Sequence, residues 1–446
     1  GLEDVFIGNG AGFASALFFQ QADGNFKLSK NNVFEKDKKF EDMGAALFDA
    51  DGDGDTDLYV VSGSYEFQPD SPYLQDRLYL NNGKGVFTKS TNLPVINASG
   101  AVVKPADFDN DGDIDLFIGG RVVPGKYPMP ADSYILQNNG KGIFTDITDV
   151  VAPQFRKLGM VTDAIWTDYD NNKKLDLIII GDWMPISIFK NENNHFVSQT
   201  KEADLENSTG WWSSISQADF DKDGDMDYIV GNLGLNYKSQ ATEKEPFEVY
   251  AKDFDNNGSL DIVLSYYNEG VLYPVRGRSC SSGQNPEVAK KFPNYNLFAV
   301  ADVTSVYGKE DLDDALHYQA KIFTSSYVEN LGKGKFKVSS LPNLAQLSSI
   351  NKTLIEDYDG DGNLDCVIAG NLYESEIETT RNDSSIGLFL KGDGQGNFTS
   401  ISRLESGFFT PGNVKDMLTV TTKDNSKLIM VASNRGTLDI IKVLKK

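Results

Sequence analysis

Six short stretches of this chain place oxygen-bearing side chains at every second position. They are DADGDGDTD (49–57), DFDNDGDID (107–115), DYDNNKKLD (168–176), DFDKDGDMD (219–227), DFDNNGSLD (253–261) and DYDGDGNLD (357–365). Odd positions of the first loop are Asp49, Asp51, Asp53, Asp55 and Asp57, and of the second Asp107, Asp109, Asp111, Asp113 and Asp115. The third has Asp168, Asp170, Asn172, Lys174 and Asp176, and the fourth Asp219, Asp221, Asp223, Asp225 and Asp227. The fifth has Asp253, Asp255, Asn257, Ser259 and Asp261, and the sixth Asp357, Asp359, Asp361, Asn363 and Asp365. A hard cation such as Ca²⁺ takes six to eight oxygens at about 2.3–2.6 Å, and a tight loop turns alternate side chains inward to supply them. Position seven contributes through its backbone carbonyl, so Lys174 and Ser259 are tolerated there. Without a cation, four or five carboxylates in nine residues repel one another. Four to six bound Ca²⁺ ions are therefore expected. The third and fifth loops are the weaker pair, since Asn172 and Asn257 replace an acid and Lys173 stands where five loops have Gly.

These loops are not helix–loop–helix sensors. An EF-hand needs a bidentate Glu at position twelve. Here position twelve is Val60, Ile118, Ile179, Val230, Leu264 or Ile368, inside a β-branched or aliphatic run. The cage thus joins two strands. A second pattern lies between the loops. LYLNNGKGVFTK (78–89), ILQNNGKGIFTD (135–146), IFKNENNHFVSQ (188–199), YVENLGKGKFKV (327–338) and LFLKGDGQGNFTS (388–400) each read strand, Gly/Asn turn, strand. LFFQQADGNFKLS (17–29) is the same unit near the start, where Asp4 of GLED matches position nine of a loop cut short. Residue 1 is accordingly expected to lie inside a longer protein. One Asp loop plus one hairpin makes four strands. The first four loops begin at 49, 107, 168 and 219, a spacing of 51–61 residues, which suits a propeller blade.

The 446 residues carry 42 basic and 65 acidic side chains, for a formal charge of -23. Phosphate repulsion makes nucleic acid an unexpected partner, and no apolar run is long enough to insert in a bilayer. Six Ca²⁺ ions would reduce the charge to -11, so much of the acidity is ligand. Two cysteines, Cys280 and Cys366, are compatible with one disulfide or with free thiols. The two histidines, His195 and His317, read as surface residues, the first in a hairpin turn and the second at the end of a helical segment.

The repeats resemble the FG-GAP or VCBS repeats of integrin α-chain-type β-propellers. The stretches EDMGAALFDADGDGDTDLYVVSG, PADFDNDGDIDLFIGGRVVPGKYP, GWWSSISQADFDKDGDMDYIVGNLGLN and SLDIVLSYYNEGVLYPVRGRSCSSGQ look like the C-terminal propeller of VCBS/ASPIC surface proteins of Bacteroidota. The resemblance covers essentially the whole chain. It implies one all-β domain over 1–446, a calcium-binding β-propeller of four-stranded blades. Seven blades are expected, with eight as the alternative. The 34-residue step between loops four and five and the 104-residue step to loop six break the period, so 219–265 is assigned to one irregular blade or to parts of two. Residues 286–318 lose strand alternation and read as a short helical insertion, and 420–434 as a metal-free closing blade.

In an up-and-down blade the Asp loop and the hairpin share one face, and the connections from strand two to strand three form the other. Those connections carry Tyr65, Arg121, Tyr127, Trp183, Asn236, Tyr373 and Arg381, with Arg276 nearby. Such residues around a channel suit a protein or glycan partner. Trp211 and Trp212 precede loop four and read as inter-blade packing on an innermost strand. No nucleophile elbow, P-loop or zinc-protease motif is present. Glu374, Glu376 and Glu378 are the acidic cluster outside the loops. The expected function is a non-catalytic binding module at an extracellular or outer-membrane surface of a bacterium, as part of a longer chain or surface complex. The alternative is a carbohydrate-active enzyme on the same scaffold.

Overall fold

The computed structural model describes residues 2–31, 33–375 and 379–444. These form eight antiparallel sheets and short helices. Four sheets follow one plan in chain order: strand, Asp loop, strand, connection, hairpin. They are Asp42–Phe48, Asp57–Ser62, Arg77–Asn81 and Phe87–Lys89; Gly100–Ala106, Asp115–Gly120, Tyr134–Asn138 and Phe144–Asp146; Met160–Thr167, Asp176–Met184, Ser187–Asn191 and Phe196–Ser198; and Ile350–Glu356, Asp365–Gly370, Leu388–Gly392 and Phe398–Ile401. The second strand is the most buried, as a near-continuous apolar run such as DLYVVS requires.

The strand leaving the fourth Asp loop departs from this plan. Asp227–Gly231 pairs with Ser326–Asn330, nearly a hundred residues on, placing Tyr228 opposite Val328. The intervening chain builds a separate sheet in the order Val271–Pro274, Asp261–Asn268, Phe247–Lys252, Leu316–Ala320. Loops four and five therefore belong to different sheets, so 219–265 is not one irregular blade but contributes parts of two sheets, the other expected alternative. Five helices, Arg278–Gln284, Pro286–Lys291, Tyr295–Ala299, Val303–Tyr307 and Lys309–Asp313, fill the stretch between the last two strands of the inserted sheet. Val288, Phe298, Ala301 and Val306 form their own small core.

Two three-stranded sheets stand at the termini: Val5–Ile7, Ala16–Gln20, Phe26–Leu28, and Val414–Thr421, Lys427–Ser433, Leu438–Val443. First strands pack in succession from Asp42–Phe48 through Gly100–Ala106, Met160–Thr167, Ser214–Ala218 and Ile350–Glu356 to Val414–Thr421. The succession then returns to the N-terminal sheet, where Val5 packs on Val420 and Met430 and the Thr421 amide donates to Glu3 at 2.6 Å. The next interface joins Leu17 and Phe34 to Leu58, Val60 and Tyr79.

Asparagines at the end of third strands stitch neighbouring sheets. Nδ2 of Asn138 donates to the Ala50 carbonyl (2.8 Å), Asn191 to Phe108 (2.9 Å) and Asn330 to Tyr169 (2.9 Å). Each acceptor is the second residue of the preceding Asp loop. The Asn of the turn signal is thus an inter-sheet tie as well as a turn former.

Candidate functional site

Each Asp loop is assembled by its own backbone. The first-position carboxylate accepts amides at the tight turn: Asp49 from Gly52 (2.8 Å) and Gly54 (2.9 Å), Asp168 from Asn172 (2.8 Å) and Lys173 (2.7 Å). The fifth-position side chain accepts the seventh amide, and Asn does this as Asp does. Asp53 takes Asp55 N at 2.9 Å, Asn172 takes Lys174 N at 2.7 Å and Asn257 takes Ser259 N at 2.8 Å. Lys173 adopts φ 67°, close to the positive φ of the glycines at that position, so the third loop closes without its glycine. The backbone strain costs about 1 kcal/mol.

The ninth-position Asp is the buried keystone. One oxygen accepts the amide ending the third strand, from Asn81 to Asp57 (2.7 Å), Asn138 to Asp115 (2.8 Å), Asn191 to Asp176 (2.7 Å), Asn330 to Asp227 (2.8 Å) and Gly392 to Asp365 (3.0 Å). Gln20 N makes the same kind of bond to Asp4 at 2.9 Å at the end of Ala16–Gln20. Burial pushes the Asp115 and Asp176 carboxyls up to about 7 and Asp227 to about 6, and repulsion from the other loop carboxylates adds to the rise.

Carboxylate oxygens of positions one, three and nine converge within 4.8 Å in Asp107–Asp109–Asp115, Asp168–Asp170–Asp176, Asp219–Asp221–Asp227 and Asp253–Asp255–Asp261; in the first loop the set is Asp49, Asp51 and Asp53. Several of these oxygens are buried with no hydrogen-bond partner: Asp51 Oδ1, Asp115 Oδ2, Asp170 Oδ1, Asp176 Oδ2 and Asp219 Oδ1. A buried carboxylate oxygen without a donor is costly, and a hard cation supplies what the protein leaves out. The residues present fit Ca²⁺. Seventh-position side chains turn outward: Asp225 accepts Asn171 Nδ2 of the adjacent loop at 2.5 Å, and Asn363 accepts Lys222 Nζ at 2.7 Å. Asp55 and Asp113 lie where a Cβ on hairpin residues Gly83 and Gly140 would collide.

At the opposite ends of the strands lies a cavity of about 870 Å³. Seven sheets contribute to its wall, among them Asn9, Asp42, Arg121, Trp211, Leu233, Asn351 and Lys415. Arg121 pairs with Asp182 at 2.5 Å and donates to the Met160 carbonyl at 3.0 Å. Asp42 is held by buried Arg77 at 2.6 Å and accepts the Asn9 amide at 3.0 Å. Tyr127 accepts Trp183 Nε1 at 2.8 Å, and Trp183 meets Trp211 edge-on and stacks on Phe247. The indole nitrogen of Trp211 and the hydroxyl of Ser349, both in this wall, are buried without partners.

Of the residues expected on this face, Arg121 and Tyr127 line the cavity and Trp183 stands buried behind it. Tyr65 is exposed, 3.5 Å from the Tyr127 amide. Asn236 is tied to Leu347 O and Ser384, Tyr373 stacks under Arg381 at 4.4 Å, and Arg276 belongs to the inserted unit; none of these lines the cavity. Trp211 was not foreseen there. Its strand, Gly210–Trp211, pairs with the far end of Asp176–Met184 and is not an innermost strand, whereas Trp212 is fully buried and donates to Ser208 O at 2.9 Å. Glu374 accepts Asn413 (2.7 Å) and Asn434 (2.9 Å) and pairs with Lys415 (3.2 Å), and these partners hold its carboxyl below the usual range despite partial burial, the wrong direction for a general acid. Glu376 and Glu378 lie outside the described residues. His317 is not a helix end but a strand residue, stacked on Tyr250 and 3.0 Å from buried Glu248. His195 is exposed, and Cys280 and Cys366 are not joined in a disulfide.

These loops and sheets make an all-β scaffold of repeated Asp loops and four-stranded antiparallel sheets, consistent with a β-propeller. The FG-GAP-like repeat family matches residues 63–118 and 168–230. The chain is 28% identical over 194 residues to cartilage acidic protein 1 of Homo sapiens, covering 42% of this chain and 28% of that protein. The same protein of Mus musculus is 28% identical over 198 residues, again covering 42% of this chain and 28% of the relative. The chain thus spans well under half the length of these relatives. Among solved structures, the V. cholerae biofilm matrix protein Bap1 aligns with a TM-score of 0.39 at 11% identity, over 97% of this chain and 81% of that one. BBS1N in complex with ARL6DN aligns at 0.35 and 10% identity, over 90% and 91%.

Proposed function

We propose that this chain is a seven-bladed, calcium-stabilised propeller acting as a non-catalytic binding module. Its partner is a protein or glycan held at the face opposite the calcium loops. Four to six Ca²⁺ ions fix the blade edges, while the inserted sheet and helices project from the fifth blade. The observation that carries the reading is the cavity of about 870 Å³, walled by seven sheets at the strand ends remote from the Asp loops. Its carboxylates Asp42 and Asp182 are already engaged by Arg77 and Arg121, which favours binding over acid–base chemistry. Loops of this kind with dissociation constants near 10⁻⁴–10⁻³ M suit calcium-rich extracellular fluid. We place the protein at an extracellular or outer-membrane surface of a bacterium of the Bacteroidota, within a longer chain or surface complex.

The test is a glycan array probed with the calcium-loaded chain and with Trp211→Ala and Arg121→Ala. Binding lost in both variants, with melting temperatures kept, supports the cavity and a glycan. A silent array leaves the protein partner as the surviving form. Release of new reducing ends from array-positive polysaccharides would overturn the non-catalytic assignment.

A further inference from the structure

The residue preceding the keystone-bonded amide of the third strand reaches into the Asp loop, and its chemistry differs from sheet to sheet. In the second loop Gln137 Nε2 donates to Asp109 Oδ2 at 2.9 Å. In the third, Lys190 Nζ sits 2.5 Å from Asp170 Oδ2. In the sixth, Lys391 Nζ bonds Asp359 and also Asp361, at 2.8 Å. All three reach the same third-position carboxylate. In the first loop the corresponding residue is Leu80, which packs with the core and carries no charge.

We infer that Lys391 is a built-in cation of the sixth loop and lowers its affinity for calcium below that of the lysine-free loops. The inference rests on the calcium reading of the loops and assigns which of them fill. An ammonium bridging the third and fifth carboxylates occupies the oxygens a divalent ion needs and adds like-charge repulsion against it. The state of the remaining oxygens agrees. Both oxygens of Asp365 are satisfied, by Gly392 N at 3.0 Å and Tyr358 N at 3.1 Å. Both are satisfied at Asp57 and Asp227 too, so the difference lies at the third and fifth positions that Lys391 bridges. Among the described residues no carboxylate oxygen of the fifth or sixth loop is buried without a partner, whereas each of the first four loops has at least one. Lys190 engages a single oxygen, so the third loop keeps Asp170 Oδ1 and Asp176 Oδ2 for a metal and is affected less. The sixth loop, among the richest in Asp by sequence, thereby falls below the lysine-free first, second and fourth loops.

The experiment titrates Ca²⁺ into the chelator-stripped chain and into Lys391→Met and Gln137→Lys, counting ions by equilibrium dialysis. Lys391→Met is expected to bind one more ion at sub-millimolar calcium, with that site tightened about tenfold or more. Gln137→Lys, which installs the lysine in the second loop, is expected to bind one ion fewer. Calcium bound by the parent chain with both counts unchanged overturns this inference and leaves the calcium reading standing. No calcium in any of the three overturns both. If Lys391→Met does not fold, Gln137→Lys decides alone.

Discussion

Lowering the pH should pit protons against calcium at the ninth-position carboxylates. In the metal-free fold Asp115 and Asp176 titrate at about 7 and Asp227 at about 6, all raised by burial, against about 3.9 in an unfolded chain. A raised carboxyl pKa means that the folded state holds its proton more tightly. That contribution to stability is fully present below about pH 4 and is lost as pH rises through 6–7. The metal-free protein should therefore melt lower at pH 7.5 than at pH 5.5. Calcium needs the ionised form, so its affinity moves the other way. A group titrating at 7 is about three-quarters ionised at pH 7.5 and about 3% at pH 5.5, a loss of about 25-fold in affinity for the second and third loops. For the fourth loop the same step costs about fourfold. Calorimetric titration at the two pH values, with melting curves in calcium and in chelator, reads both effects. Affinity unchanged or stronger at pH 5.5, or a metal-free melting temperature that rises with pH, would refute the reasoning.

Asp227→Ala removes the acceptor for Asn330 N, Tyr327 OH and Phe220 N inside a fully buried site. It should cost about 3 kcal/mol or more even in chelator, with Asp227→Asn milder, as read by urea unfolding; equal loss only when calcium is present would show that the keystone acts solely through metal. Gly83→Ala forces a Cβ against Asp55 at φ 70°, and should lower the melting temperature more than Gly54→Ala, whose Cβ meets open space at a comparable φ. Cys366 is buried in a strand and its thiol is pushed up, while Cys280 is half-exposed. A thiol reagent should label one cysteine in the native chain and two in denaturant, and finding none in denaturant would mean a disulfide.

What the sequence revealed depends on how local each signal is. An Asp loop is nine consecutive residues with its turn chemistry inside it, so the positions of all six were readable. Sheet membership is not local. Loop five has the same internal pattern as loop four, yet its sheet is closed by Leu316–Ala320, and the fourth-loop strand waits for Ser326–Asn330. His317 was misplaced for the same reason, since LHYQA follows directly on helical sequence and its partner strand lies some seventy residues earlier. The cavity face was legible as a set of connections but not as a list. Strand ends bring Asp42, Asp182, Trp211 and Lys415 together across the whole chain, while Tyr373 and Arg381 satisfy each other at the side. Lys391 carries no signal on its own. Its meaning appears once its strand is aligned beside the loop it enters.

The central claim is that the Asp loops are calcium cages that hold the blades. The direct measurement is the calcium content of the purified chain together with its melting temperature before and after chelation. Four to six ions per chain and a large fall in melting temperature on chelation are predicted. Fewer than two ions and an unchanged melting temperature would contradict the account.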